Sequence, residues 1–424
     1  MQYYSEAAKE LPVKGTYDVI VAGSGPAGMA AAVSAGRLGM KVLVLEALGS
    51  VGGISTSGMM SHWTGRCGSR VYHEIMQRQA DKNYFNRGES VIQIDPEMLK
   101  NTYLEMLDEV HADLLLYTFV CGAIVEDNTV KGVIVENKSG RAVYTASVII
   151  DATGDGDVAA LAGAEYFLGR ESDGLMQPAT LMFKVGGVDM SRAILPGSFE
   201  TEVETEKGEI QHLALEKLPH PAGHVLLYKS TIPGIVTLNM TNCTNIDGTK
   251  AEDLTRAEQV CRSQMGPIID FLREYAPGYE HCYIISAASL IGIRETRHFK
   301  GVQTITEKDI LSARQFDDAV VQDAWFNFDV HNLTGASLDK TGSQKNFKQP
   351  KGYTIPYGCM VPEKLDGLLL SGRNISGTHM AHSNFRVMPI CVGIGEADGI
   401  AAALAVKNGC RLRDVKAEEI QKYL

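Results

Sequence analysis

The chain has 424 residues, enough for two or three domains and a large core, and its 45% apolar and 21% charged residues are a globular composition, not a disordered one. A formal net charge of -11 argues against a general binder of nucleic acid or anionic membrane. Eight cysteines stand singly, with no C-x-x-C pair and no metal-ligand spacing, so reduced thiols, no metal and a cytoplasmic setting are expected.

Residues 1–15 are charged and lack the apolar stretch of a secretory signal; no uncharged apolar run reaches transmembrane length. The apolar run 17–22 then predicts a strand. It enters Gly23-Ser24-Gly25-Pro26-Ala27-Gly28, a G-x-G-x-x-G, followed by an alanine-rich helix over 29–38 with Gly39 as its stop. A second strand, 41–45, ends at Glu46. Strand, glycine turn, helix, strand and acid within about 30 residues form the dinucleotide fingerprint. Gly23 permits the sharp turn, Gly25 lets the backbone approach a pyrophosphate, and Gly28 lets the helix lie on the sheet. The helix start offers free N–H groups to phosphate. Glu46 suits ribose hydroxyls and would repel a 2′-phosphate, which disfavours NADP.

A glycine-rich loop over 49–58, with Gly52 and Gly53, follows; it either runs under the cofactor or is a plain surface loop. His62, Trp63 and Cys67 come next, then a helix over 71–79. Asp95 and Pro96 form an N-cap and first position for a helix over 97–110. Strands are expected over 113–119, 123–126 and 132–136, the last two joined by the turn Asp127-Asn128. Arms over 141–145 and 147–151 complete this part. The second of these runs into another glycine turn, Ala152-Thr153-Gly154-Asp155-Gly156-Asp157, and a helix over 158–161. Ligands of open α/β sheets bind beyond such strand ends.

The character changes at Gly174. Residues 174–354 read as an inserted domain with short strands, a long helix over 250–275, the basic cluster Arg294, Arg297 and His298, and a long polar loop over 330–353. Residues 355–424 return to the first pattern. A buried strand over 365–370 ends at Gly372, a loop over 373–386 carries His379, His382 and Arg386, and a small-residue helix covers 392–407. The fold class is therefore α/β, a Rossmann-like cofactor domain (1–173 and 355–424) interrupted by an α+β substrate domain (174–354). Glycine-terminated strands recurring at 23, 154 and 372 suit a long cofactor held across one composite domain, which favours FAD over a nicotinamide.

On these motifs, with Asp173-Gly174-Leu175-Met176-Gln177-Pro178, Gly292-Ile293-Arg294-Glu295-Thr296-Arg297 and Leu369-Leu370-Ser371-Gly372-Arg373 through Glu396-Ala397, the chain resembles the FAD-dependent oxidoreductases. These have the glutathione-reductase-type flavin fold, and the closer likeness is to the branch related to fumarate reductase and succinate dehydrogenase flavoproteins. The resemblance implies that Gly23, Gly25, Pro26, Ala27 and Gly28 hold the pyrophosphate and Glu46 the ribose. It implies that the Val120 backbone holds adenine, and that Gly52, Gly53, Thr153, Gly154 and Asp155 line the flavin or its ribityl chain. Gly372-Arg373 stands where many relatives have glycine and an acid; the helix start near Cys391 faces the flavin's pyrimidine end.

Chemistry at such a flavin needs a positioned substrate and often a proton donor or acceptor. Arg294 and Arg297 suit a carboxylate, phosphate or diol, or else a structural ion pair with Glu295. His379 and His382 are the candidates for moving the proton, or else hydrogen-bonded structural histidines. The function expected is hydride transfer between flavin N5 and a small anionic or polyhydroxylated metabolite, with a separate electron donor or acceptor, no nucleic acid and no membrane. Oligomeric state is not legible. A tRNA-modifying flavoprotein and a non-catalytic flavin sensor are the alternatives on the same fold.

Overall fold

The structure, a computed structural model, describes residues 3–60, 62–81, 92–338 and 352–424. Strand β1 (Val13–Ala22) is followed by helix α1 (Pro26–Arg37) and strand β2 (Val42–Leu45). β1 lies in a seven-stranded sheet, flanked by β2 and by the long strand Gly140–Asp151, both parallel to it. Asp113–Leu115 extends the parallel side beyond β2. The first half of Gly140–Asp151 pairs with the antiparallel hairpin Phe119–Glu126 and Thr129–Asn137; its last three residues pair in parallel with Leu368–Leu370. Val19, Ile20, Val21, Leu43, Val44, Ile149, Ile150 and Leu368 to Leu370 are all fully buried. That is why these strands read as unbroken apolar runs, without alternation.

The register sets the site. Ala22 pairs with Leu45 and with Asp151, and Leu370 also pairs with Asp151. The chain therefore leaves the sheet at Gly23, Glu46, Ala152 and Ser371 along one edge.

Behind the sheet, α1 packs on the C-terminal core helix Met388–Asn408. A Cβ on Gly395 or Gly399 would overlap the carbonyl oxygens of Ala27 or Ala31, so the two helix backbones are nearly in contact. By length and composition Met388–Asn408 is apolar enough to cross a membrane, but 94% of its apolar window is buried inside this core.

A second core runs from Ala179 to Ala288. Its antiparallel sheet has the order Leu227–Lys229, Val236–Leu238, Phe183–Gly186, Tyr283–Ala287, and the helix Ala251–Tyr275 packs with it. It stops well short of residue 354. Residues of the stretches 299–328 and 353–361 instead contribute to the first core: strand Ala319–Ala324 pairs with Tyr353–Pro356 and packs against Met388–Asn408.

Two local expectations change. The arms expected at 141–145 and 147–151 form one continuous strand, because nothing between them breaks it. The stretch 373–386 is not all loop. Thr378 caps a helix, His379–Phe385, by accepting a hydrogen bond from Ala381 N, and that cap was the available signal. Most of the polar segment after Leu338 lies outside the described residues. The hairpin turn and the Asp95 cap form where the spacing puts them. Asp127 and Asn128 have φ of 46° and 60°, and Asp95 Oδ1 accepts from Glu97 N and Met98 N.

Candidate active site

A cleft of about 310 Å³ opens along the shared strand edge. Gly23, Gly25, Pro26, Ala27, Glu46, Gly53, Val120, Thr153, Gly154, Asp155, Gly372, Arg373 and Cys391 all line it. Gly28 and Gly52 lie just behind. A Cβ on Gly28 would overlap the Gly23 carbonyl, so it sets the close approach of α1 to β1. Gly52, at φ 102°, donates its N–H to Ser24 O.

The cleft fits a dinucleotide. Gly25 is the N-cap of α1, and a Cβ built there meets nothing within 4 Å, so its empty side faces open space at the helix start. Glu46 Oε2 accepts from Ser24 N at 2.9 Å and Ser24 Oγ at 2.5 Å, and Oε1 accepts from Leu48 N at 2.8 Å. A carboxylate has about four lone-pair positions, so capacity remains for a ribose hydroxyl. Asp151, buried at the strand end, accepts from Thr153 N, Thr153 Oγ1 and Ala159 N and shapes the Thr153-Gly154 turn. Burial pushes its carboxyl up to about 6. Arg373 Nη2 donates to Asp155 Oδ1 at 2.6 Å, and its guanidinium lies against Gly154. The residue that departs from the glycine-acid pattern is thus paired with an acid from the neighbouring strand end.

A second cavity of about 390 Å³ adjoins the first. Ile54, Ile293, Arg373, Arg386 and Met388 line both. Its walls include Met182, Phe199, Leu226, Tyr228, Trp325 and Phe326, and its polar groups include His62, Asn239, Arg294, Asp329, His331 and Arg386. His62 stacks on Tyr228 with ring centroids 3.3 Å apart. Burial pushes the His62 imidazole down to about 3, so it is neutral at ordinary pH, and its Nδ1 has no hydrogen-bond partner among the described residues.

Arg294 donates from Nη1 to Pro178 O at 2.6 Å and Thr180 Oγ1 at 2.9 Å. Both partners are neutral, and among the described residues no carboxylate pairs with it. Burial, then the nearby Arg386, pushes its guanidinium down to about 10, so it stays charged. Arg386 Nη2 donates to Asp329 Oδ2 at 2.9 Å, and His331 Nε2 stands 3.5 Å from the same oxygen. Two guanidinium groups therefore face one carboxylate.

The other expected catalytic residues lie elsewhere. Arg297 Nη1 donates to Asp155 O and Asp157 Oδ1, each at 2.8 Å, and its guanidinium covers the Tyr166 ring. His379 and His382 are buried and line neither cavity; His379 Nδ1 lies 2.6 Å from Glu295 Oε1. Trp63 is a core residue stacked on Tyr72. Cys67 donates its thiol to Pro389 O, and burial pushes it up to about 12, as it does Cys391. Burial thus disfavours the nucleophilic thiolate at both. Sequence reasoning missed Tyr228 and the stretch carrying Trp325, Phe326, Asp329 and His331, which match no motif.

The fold and the chain have known relatives. By structure the chain is similar to a geranylgeranyl bacteriochlorophyll reductase-like protein from Thermoplasma acidophilum, with a TM-score of 0.53 and 14% identity over 96% of this chain and 82% of that one. It is similar in the same degree to p-nitrophenol 4-monooxygenase from Pseudomonas putida, with a TM-score of 0.53 and 12% identity over 97% and 84%. At such identity these show the fold. By sequence it is 35% identical over 158 residues to a tRNA uridine 5-carboxymethylaminomethyl modification enzyme of Alkaliphilus metalliredigens, covering 33% of this chain and 24% of that protein. It is 25% identical over 204 residues to a digeranylgeranylglycerophospholipid reductase of Methanococcoides burtonii, covering 43% and 47%. The chain thus spans a quarter to just under half of the length of these curated relatives. The FAD dependent oxidoreductase family model, by contrast, matches it from residue 18 to residue 424, through every strand end that lines the cleft. This chain belongs to the FAD dependent oxidoreductase family and is an enzyme with FAD as its cofactor.

Proposed function

We propose that the enzyme exchanges a hydride between flavin N5 and a small anionic metabolite with a flat apolar body, bound in the second cavity. The observation that supports this reading is Arg294: a half-buried guanidinium hydrogen-bonded to neutral groups, sharing with Arg386 the charge of one carboxylate, Asp329, and facing a cavity that meets the cofactor cleft. Two cations facing one carboxylate leave a net positive charge away from bulk water, and a bound carboxylate or similar anion offsets it. FAD supplies the redox step when bound. This chain's residues supply the rest. Arg294 anchors the anion, while Trp325, Phe326 and the His62–Tyr228 stack flank the apolar body and exclude water. His331, beside Asp329, is the imidazole in this cavity with a carboxylate at hand, and we assign it the proton that accompanies the hydride. The polyhydroxylated alternative has less support, since aromatic and aliphatic side chains dominate the walls. A small-molecule substrate and a cytoplasmic setting belong to this reading.

The test uses the purified flavin-loaded enzyme, anaerobic flavin bleaching by a panel of apolar carboxylates and their uncharged amides, and Arg294→Met. Bleaching by acids but not amides is expected. Arg294→Met should weaken binding of the productive acid 10- to 100-fold, about 1.4–2.7 kcal/mol, with flavin retained. Equal turnover of acids and amides would sink the proposal. Failure of the whole panel with tRNA co-purifying would favour a role like that named for the Alkaliphilus relative, which the net charge of -11 weighs against.

A further inference from the structure

We propose that Glu295, His298 and His382 form a buried site for a divalent transition metal, of the zinc or iron(II) kind. One oxygen of Glu295 and one nitrogen of each histidine lie within 4.8 Å of one another. All three residues are only 1% exposed.

The hydrogen-bonding of His298 calls for a cation. Its Nδ1 is 3.1 Å from Gly377 O and its Nε2 is 2.8 Å from Glu295 Oε1. Both neighbours are acceptors when the carboxylate is ionised, and a neutral imidazole has one N–H to offer. Either a second proton on Nε2 or a metal ion shared by Nε2 and the carboxylate resolves this. The metal requires the 2.8 Å pair to open, since two bonds of about 2.1 Å at a tetrahedral angle set the donor atoms about 3.4 Å apart. His382 separates the two solutions. Its Nδ1 is buried with no hydrogen-bond partner among the described residues. A proton on His298 leaves that nitrogen bare, whereas a metal that His382 binds through Nδ1 gives it a bond. The surroundings fit as well. A ligating histidine commonly donates its other N–H to a backbone carbonyl, as Nδ1 of His298 does to Gly377 O. A ligating carboxylate is itself hydrogen-bonded, and Glu295 is held by His379 Nδ1 and by Gln177 N.

Two imidazoles and one carboxylate suit Zn²⁺ or Fe²⁺, at bond lengths of about 2.0–2.2 Å. So deep a site is structural: it clips the helix His379–Phe385 to the stretch Glu295–His298. No ligand spacing in the chain signals it, because the third ligand is 84 residues beyond the second.

The test is metal analysis of the dialysed holoenzyme after growth with added zinc and iron, followed by Co²⁺ titration of the chelator-treated protein. The result expected is one metal per chain and a Co²⁺ ligand-field band at wavelengths beyond the flavin absorption. His382→Gln should cut the metal content at least 10-fold while the flavin stays bound. Glu295→Gln, which keeps the shape of the side chain, should do the same if His382→Gln does not fold. Wild-type holoenzyme with less than about 0.1 metal per chain and no Co²⁺ band overturns the proposal. Undiminished metal in both variants overturns it too. None of these readouts depends on the substrate assigned to the second cavity.

Discussion

The cofactor cleft and the second cavity share five lining residues, yet they are built by opposite means. The cleft is made largely of backbone. Its shape comes from strand register and from glycines that leave space, as Gly25 does, or that let helix and strand touch, as Gly28 does. The second cavity is made of side chains from at least seven separate stretches, with aromatic rings and uncompensated polar groups. A backbone-built site is general for one cofactor. A side-chain-built site can be retuned residue by residue, which is where substrate choice resides.

The sharpest way to break this contrast is at Gly25. A Cβ there meets no protein atom within 4 Å, so Gly25→Ala should leave the melting temperature of the apoprotein unchanged while lowering FAD affinity at least 100-fold, about 2.7 kcal/mol. Flavin titration of the unfolded-and-refolded apoprotein, with circular dichroism alongside, reads both. Undiminished flavin binding would mean that the backbone approach is not what holds the cofactor.

Acid should expose the other half of the contrast. His62 and His331 line the second cavity, and His224 packs on Phe199 as His331 does; burial pushes His62, His331 and His224 down to about 3, about 4 and about 3. Their unfolded values are about 6.5, so below that pH the unfolded chain binds more protons and stability falls as pH falls, down to about 3–4. At pH 5 each group costs roughly 2 kcal/mol. Thermal unfolding between pH 7 and pH 4 should show this, and His224→Gln should flatten the slope. An unchanged slope in that variant would place the acid sensitivity elsewhere.

The smallest effect serves as the control. Asn128, at φ 60° in an exposed hairpin turn remote from both cavities, should cost about 1 kcal/mol of stability when replaced by Ala and alter neither flavin binding nor turnover. Altered flavin binding would show that the hairpin is coupled to the cleft.

The same contrast explains what could be read from the chain. Gly23, Glu46, Gly154 and Gly372 were legible because a buried parallel strand has a compositional signature and the turn after it needs glycine. The second cavity was only half legible. Arg294 stands out as a charge after an apolar stretch, but nothing in the sequence brings His62 onto Tyr228 or Arg294 to the stretch holding Asp329 and His331. Those meetings depend on how the second core seats against the first, a long-range packing outcome. His379 and His382 drew notice as histidines near the flavin strand. The capped helix that carries them turns them into the interior, where Glu295 is waiting.

The placement of Leu368–Leu370 and Met388–Asn408 has a consequence for biosynthesis. These segments complete the central sheet and back the first helix, yet they emerge from the ribosome after nearly everything they contact. Until they arrive, the alanine-rich face of Pro26–Arg37 has no cover, so the nascent chain must wait in an open, chaperone-accessible state before its yellow prosthetic group can be enclosed.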